Sequence, residues 1–130
     1  MARRRLGVNI VYVGMAGERG GAGLRGRLGI YASGKAIASG LGEAIFDRAL
    51  ADAGWLNERV GEVRAGEPKR AKDWGKAALA WADLEVRWAT TADKHTAADL
   101  ERAVMRDLPQ ENLWNRRRYP AGKALRHQAW

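Results

Sequence analysis

The chain has 130 residues, no cysteine and six tryptophans, and 46% of its residues are hydrophobic. These values predict a single folded domain over residues 1–130 and exclude disulfides and thiolate metal sites, so we expect a reducing compartment, the cytoplasm. The formal net charge of +8 predicts a polyanionic partner, with nucleic acid favoured over an acidic membrane surface.

The N-terminal segment combines a basic arm, residues 1–6, with an apolar run that resembles a secretory signal. Asn9 and Tyr12 interrupt that run, and its β-branched residues favour a strand over residues 8–13 instead. Apolar residues on both faces of this strand predict a sheet that is covered on both sides. No stretch approaches the roughly 20 apolar residues that span a bilayer, so we expect no membrane partner.

A loop rich in glycine and arginine follows the strand. Its glycines, including Gly14 and Gly17, let backbone amides approach a ligand, and its arginines, including Arg19 and Arg25, offer planar donors to phosphate oxygens. The sequence therefore predicts an anion site here. Residues 21–26 also match G-x-G-x-x-G, but six residues separate this match from Gly14 and no strand ending in an acid follows near residue 50. We expect no nucleotide cofactor and keep a nucleotide-binding protein as the weakest of three hypotheses.

Hydrophobic periodicity predicts five helices and one further strand after the loop. The helices are expected at residues 24–31, 41–53, 55–63, 68–83 and 93–107, with the loop of residues 33–42, which contains Lys35, between the first two. Leu41, Ile45 and Ala49 are expected to face inward. Strict alternation predicts a strand at residues 84–88. In the last helix we expect an inward stripe of Leu100, Val104 and Leu108.

Glu101 borders this stripe, and no cation stands three or four residues from it on the helix. A carboxylate against apolar surface is costly unless a metal ion or a distant arginine neutralises it. Glu101 either has such a partner or reaches water past its small neighbours, and its spacing leaves both possibilities open. The only histidines, His95 and His127, are expected to be exposed, which argues against a histidine metal cluster.

Several features occur in one order along the chain. They are a strand ending in Tyr12-Val13-Gly14, Arg27 on a short helix, Tyr31 four residues later, Glu101 on a later helix, and Asn115 beyond it. This order resembles the GIY-YIG nuclease family over about residues 8–115. The family's first motif, Gly-Ile/Val-Tyr, has no match: residues 7–9 read Gly-Val-Asn and belong to the same predicted strand.

The resemblance implies an α+β fold, with a small, mainly antiparallel sheet flanked by helices and a helical insertion at about 41–83. Loss of the first motif implies that the first strand is missing, that a sheet edge is exposed and that cleavage is weakened or abolished. The C-terminal residues 116–130 are expected to form a basic tail.

The resemblance also implies hydrolysis of DNA phosphodiester bonds with one divalent metal ion, usually Mg²⁺. Glu101 would hold the metal, and Arg27 would stabilise charge on the phosphate. Tyr12 or Tyr31 would position or deprotonate water, with nearby cations stabilising the phenolate. Asn115 would be structural or would contact phosphate. The residues expected to bind nucleic acid are Arg19, Arg25, Lys35, Asn115 and Arg116, and those expected to shape the loop are Gly14 and Gly17. The alternative is a non-catalytic DNA-binding relative of the same fold.

Overall fold

The described part of the molecule contains a small antiparallel sheet and five α-helices. The computed structural model describes residues 2–4, 9–17, 23–67 and 69–116. Within these ranges helix predominates and each strand is only three residues long. The expected α+β class therefore agrees with the structure only at a coarse level, as a mainly helical protein with a minor strand component.

The sheet contains β1 (Ala2–Arg4), β2 (Ile10–Tyr12) and β3 (Leu84–Val86), in the order β2-β1-β3. Both pairs are antiparallel, and Ala2 stands opposite Tyr12 on one side and Val86 on the other. The prediction that the first strand is missing is wrong, because residues 2–4 of the expected basic arm form the central strand. Ala-Arg-Arg carries little strand propensity of its own, so pairing on both sides must determine its conformation.

The described ranges contain five α-helices. They are α1 (Gly23–Ala32), α2 (Gly40–Ala51), α3 (Ala53–Arg64), α4 (Ala71–Ala82) and α5 (Lys94–Asp107). Side chains cap three of them: Ser39, Asp52 and Asp93 accept hydrogen bonds from backbone amides of α2, α3 and α5. Asp52 separates α2 from α3, so the break expected at Gly54 lies two residues earlier. None of the helices in the described ranges is long and apolar enough to cross a membrane.

The larger core lies among α2, α3 and α4. Its buried residues are Leu41, Ile45, Ala49, Trp55, Ala78 and Ala82. The inward face predicted for α2 is therefore confirmed. The Trp55 ring makes edge-to-face contacts with Phe46 and Trp74, each with 6.2 Å between ring centroids. Tyr12 and Tyr31 also pack against this core.

A second core joins α5 to β2. Val13, Met105 and Leu113 are buried there, with Val104 and Leu108 packed against them. The prediction that Leu100 faces inward is wrong, since 43% of it is exposed. The buried stripe is rotated by about one residue position toward Met105, and Glu101 lies one helical turn before Met105 on the same face. This rotation turns Glu101 toward the sheet.

Candidate active site

Tyr12, Arg27 and Tyr31 line one open cleft between the sheet and α1. Its other lining residues are Gly14, Met15, Ala16, Leu24, Leu28, Leu41 and Val86. Tyr12 and Val86 share a row across the sheet, because both are in register with Ala2, and side chains in one row point to the same face. The sheet register therefore places Tyr12 of β2 and Val86 of β3 on the same face of the sheet, where both line the cleft.

Two glycines make room for the Tyr12 ring. A Cβ added at Gly14 would lie 2.8 Å from Tyr12 Cε1, and one added at Gly40 would lie 2.9 Å from the Tyr12 hydroxyl oxygen. Both distances are shorter than carbon contacts allow, so the ring fills the space that both missing side chains leave. Gly14 thus has a steric reason to follow Tyr12 by two residues, whereas Gly40 comes from the start of α2.

Arg27 and Tyr31 are neighbours on one face of α1, four residues apart. Arg27 Nε donates to the Tyr31 hydroxyl at 3.1 Å, and the guanidinium carbon lies 6.0 Å from the centre of the Tyr31 ring. This hydrogen bond raises the pKa of Arg27, and the nearby Tyr12 hydroxyl has the same effect. Arg27 is therefore a permanent cation that contacts both tyrosines.

Glu101 approaches the same group from α5. Its negative charge contributes to a raised pKa of Tyr12, which places the carboxylate within electrostatic reach of the hydroxyl that Arg27 also contacts. Within the described ranges Glu101 makes no ion pair. The four residues predicted for catalysis thus come from three elements, β2, α1 and α5. Arg27 and Tyr31 line the cleft with Tyr12, and Glu101 is within electrostatic reach of Tyr12.

The protonation state of Tyr12 differs from the expectation. Burial is the largest cause of its raised pKa, followed by Tyr31, and these effects outweigh the lowering effect of Arg27. Tyr12 is consequently a neutral phenol, not the cation-stabilised phenolate expected from the sequence. It can donate or accept a hydrogen bond but is a poor base in this state.

Asn115 serves the backbone of the strand that carries Tyr12. Its Oδ1 accepts from Val13 N at 3.0 Å, and its Nδ2 donates to Val13 O at 2.6 Å. Trp114 N also donates to Val11 O at 2.6 Å. Residues 114–115 therefore cover the edge of β2 that β1 leaves open, so the exposed edge expected there is wrong. Of the two roles open for Asn115, these contacts support the structural one.

The other residues predicted to contact nucleic acid are Arg19, Arg25, Lys35 and Arg116. Arg25 on α1 and Lys35 are exposed, and Arg19 lies outside the described residues. Arg116 pairs with Glu43 on α2. Arg25, Lys35 and Arg116 are not among the residues that line the cleft. The binding of nucleic acid by all four residues stays a prediction.

Sequence reasoning missed two residues that shape this region. Gly40 contacts Tyr12 across the fold, and no local pattern marks it. Lys94, at the start of α5, lies beside Gly17: its Cδ would be 3.9 Å from a Cβ added at that glycine. The position of Lys94 at the start of a helix does not predict its contact with Gly17, because that contact depends on how α5 packs against the rest of the molecule.

The chain matches none of the protein-family models, curated proteins or solved structures with which it was compared. The resemblance to the GIY-YIG family accordingly stays a prediction based on the order of its motifs.

Proposed function

We propose that the protein is a cytoplasmic, metal-dependent endonuclease of GIY-YIG type that hydrolyses DNA phosphodiester bonds. The observation that carries this proposal is the convergence of Tyr12, Arg27, Tyr31 and Glu101. They are separated by up to 89 positions in the sequence, from 12 to 101. Residues that merely solvate a surface have no reason to place an arginine and two hydroxyls around one cleft with a carboxylate from another helix in electrostatic reach of it.

Each side chain has a role that its chemistry supports. Arg27 stays cationic and offers guanidinium donors to phosphate oxygens, where negative charge grows during hydrolysis. The neutral Tyr12 hydroxyl and the Tyr31 hydroxyl can hold and orient a water molecule beside that phosphate. The net charge of +8 favours the approach of DNA.

The residues present fit a magnesium ion. Mg²⁺ is usually bound through one or two carboxylates and keeps several waters, so a single carboxylate with no ion-pair partner is a suitable ligand. Glu101 would hold the ion. The described residues contain no group of three or more His, Cys, Asp or Glu side chains that could hold a metal ion without water ligands. When bound, the ion would supply positive charge that stabilises the phosphate during hydrolysis.

A non-catalytic DNA-binding relative of the same fold is the second candidate. The raised pKa of Tyr12 favours it, since a neutral phenol does not activate water by removing its proton. In such a protein, Arg27 would contact the backbone of DNA without cleavage.

Nicking of supercoiled plasmid DNA in the presence of Mg²⁺ separates the two candidates. We expect the wild-type protein to nick the plasmid and a chelator to stop it. Glu101→Gln should lower the rate about a hundredfold or more, because it removes the charge that would hold the metal while keeping the shape of the side chain.

Glu111→Gln is the matched control, since Glu111 is an exposed carboxylate in the turn after α5. It should nick at the wild-type rate. Equal rates for Glu101→Gln and wild type would overturn the assigned role of Glu101. Absence of nicking by wild type, with tight and salt-dependent DNA binding, would establish the non-catalytic candidate instead.

A further inference from the structure

Trp88 is the most exposed large apolar side chain in the described part of the chain, with 67% of its surface accessible. Trp55 is buried, and Trp74, Trp81 and Trp114 are at least half-covered by their surroundings. Tryptophan is strongly buried on average in folded proteins. Packing within the described molecule thus does not account for Trp88.

The position of Trp88 is fixed by the sheet. Because β2 and β3 are both antiparallel to β1, they run in the same direction and the chain leaves both at the same end of the sheet. Gly14 follows β2 at that end, and Gly14 and Val86 both line the cleft. Trp88 stands two residues beyond Val86, a reach of at most about 7 Å between Cα atoms. Its Cα therefore lies within about 7 Å of that of Val86, which lines the cleft together with Arg27.

Cationic residues occur near Trp88 in the chain. Arg87 precedes it, and more than half of the Arg87 side chain is exposed even though Nε lies 3.4 Å from Glu85 Oε1. Lys94 at the start of α5 approaches the loop after Tyr12, beside Gly17. Proteins hold single-stranded nucleic acid with exposed aromatic rings, on which the bases stack, and with cations that contact the phosphates.

We propose that Trp88 stacks on an unpaired nucleobase next to the phosphate that Arg27 holds. The substrate would then be DNA with a single-stranded or frayed segment at the cleft, because the bases of an intact duplex are covered on both faces by their neighbours. This inference rests on the proposed function and narrows its substrate class.

Fluorescence anisotropy with a labelled DNA strand in a chelating buffer tests the stacking without cleavage. Trp88→Leu should weaken binding of the single strand about tenfold or more, and Trp88→Phe should stay close to wild type because it keeps an aromatic face. Binding of a duplex of the same length should change little in either variant. Val63→Ala is the control. It alters an exposed apolar residue on α3, far from Trp88 in the sequence, and should bind the single strand as wild type does.

A strand of the same length made wholly of abasic nucleotides isolates the base from the phosphates. The effect of Trp88→Leu should disappear on that strand, since it offers no base to stack. An equal loss on the abasic strand, or no loss on the normal one, would overturn the stacking proposal. A change in oligomeric state of Trp88→Leu in sedimentation would also overturn it, by making Trp88 a contact between copies of the chain. Plasmid nicking judges the endonuclease separately, so that either proposal can fail alone.

Discussion

Tyr12 is the residue on which the other site residues converge. Its ring occupies space that side chains at two neighbouring glycines would fill. Gly14 and Gly40 bound its ring from two sides, and neither glycine has the positive φ that would require glycine for backbone reasons. Space for the ring therefore explains both. The Tyr-Val-Gly sequence is a packing unit in which the third residue must stay small for the first to reach Arg27.

We expect Gly14→Ala to destabilise the protein by about 1–3 kcal/mol, because the new methyl group would collide with Cε1 of the half-buried Tyr12 ring. Chemical denaturation measures this difference in the free energy of unfolding. Gly29→Ala is the matched control: nothing lies within 4 Å of a Cβ at that position of α1, and alanine is the better helix former. Equal stability of Gly14→Ala and wild type would show that the Tyr12 ring can move to accommodate the methyl group.

At the scale of elements, the segment after α5 completes the sheet. β2 would be an edge strand, but the Asn115 amide group pairs with both polar groups of the Val13 backbone, and Trp114 pairs with Val11. The Arg48 guanidinium lies 4.6 Å from the Trp114 ring centroid and holds this segment against α2. An edge covered in this way is protected from pairing with other chains.

Asn115→Ala should cost about 1–3 kcal/mol of stability, because it leaves the Val13 amide and carbonyl without partners in a partly buried place. Thermal unfolding measures the loss. Asn112→Ala alters an exposed asparagine three residues earlier and should leave the melting temperature unchanged. If Asn115→Ala instead keeps full stability and weakens DNA binding, its role is to contact phosphate.

Helix α5 was predicted at the right residues, but with the wrong face toward the core. Its bounds agree with the sequence, and Asp93 caps its first turn by accepting from Thr96 N at 2.7 Å. Leu100 was nevertheless expected inward, whereas Met105 occupies the core. A stripe of few apolar residues leaves the rotation of a helix to its docking partners, here Val13 and Leu113. That rotation is what carries Glu101 to the site.

For the whole molecule, the sequence was informative wherever structure is local. All five helices were predicted, because periodicity and caps act within a few residues. The contact of Arg27 with Tyr31 follows from their spacing on one helix. Strand β1 was missed because its conformation depends on β2 and β3, and the approach of Gly40 and Lys94 to the site depends on docking. Long-range contacts of this kind leave no pattern in a single sequence.

The net charge of +8 predicts that binding of DNA is strongly salt-dependent. If about four phosphates are neutralised, the affinity for duplex DNA should fall about a hundredfold between roughly 50 and 200 mM salt, and anisotropy titrations measure the slope. Lys94→Gln should reduce that slope by about one, because Lys94 adjoins the cleft loop at Gly17. Arg64→Gln removes the same charge from the end of α3, which contributes no residue to the cleft, and should leave the slope unchanged. Equal slopes for the two variants would mean that DNA responds to the overall charge of the molecule and does not follow a path through the cleft.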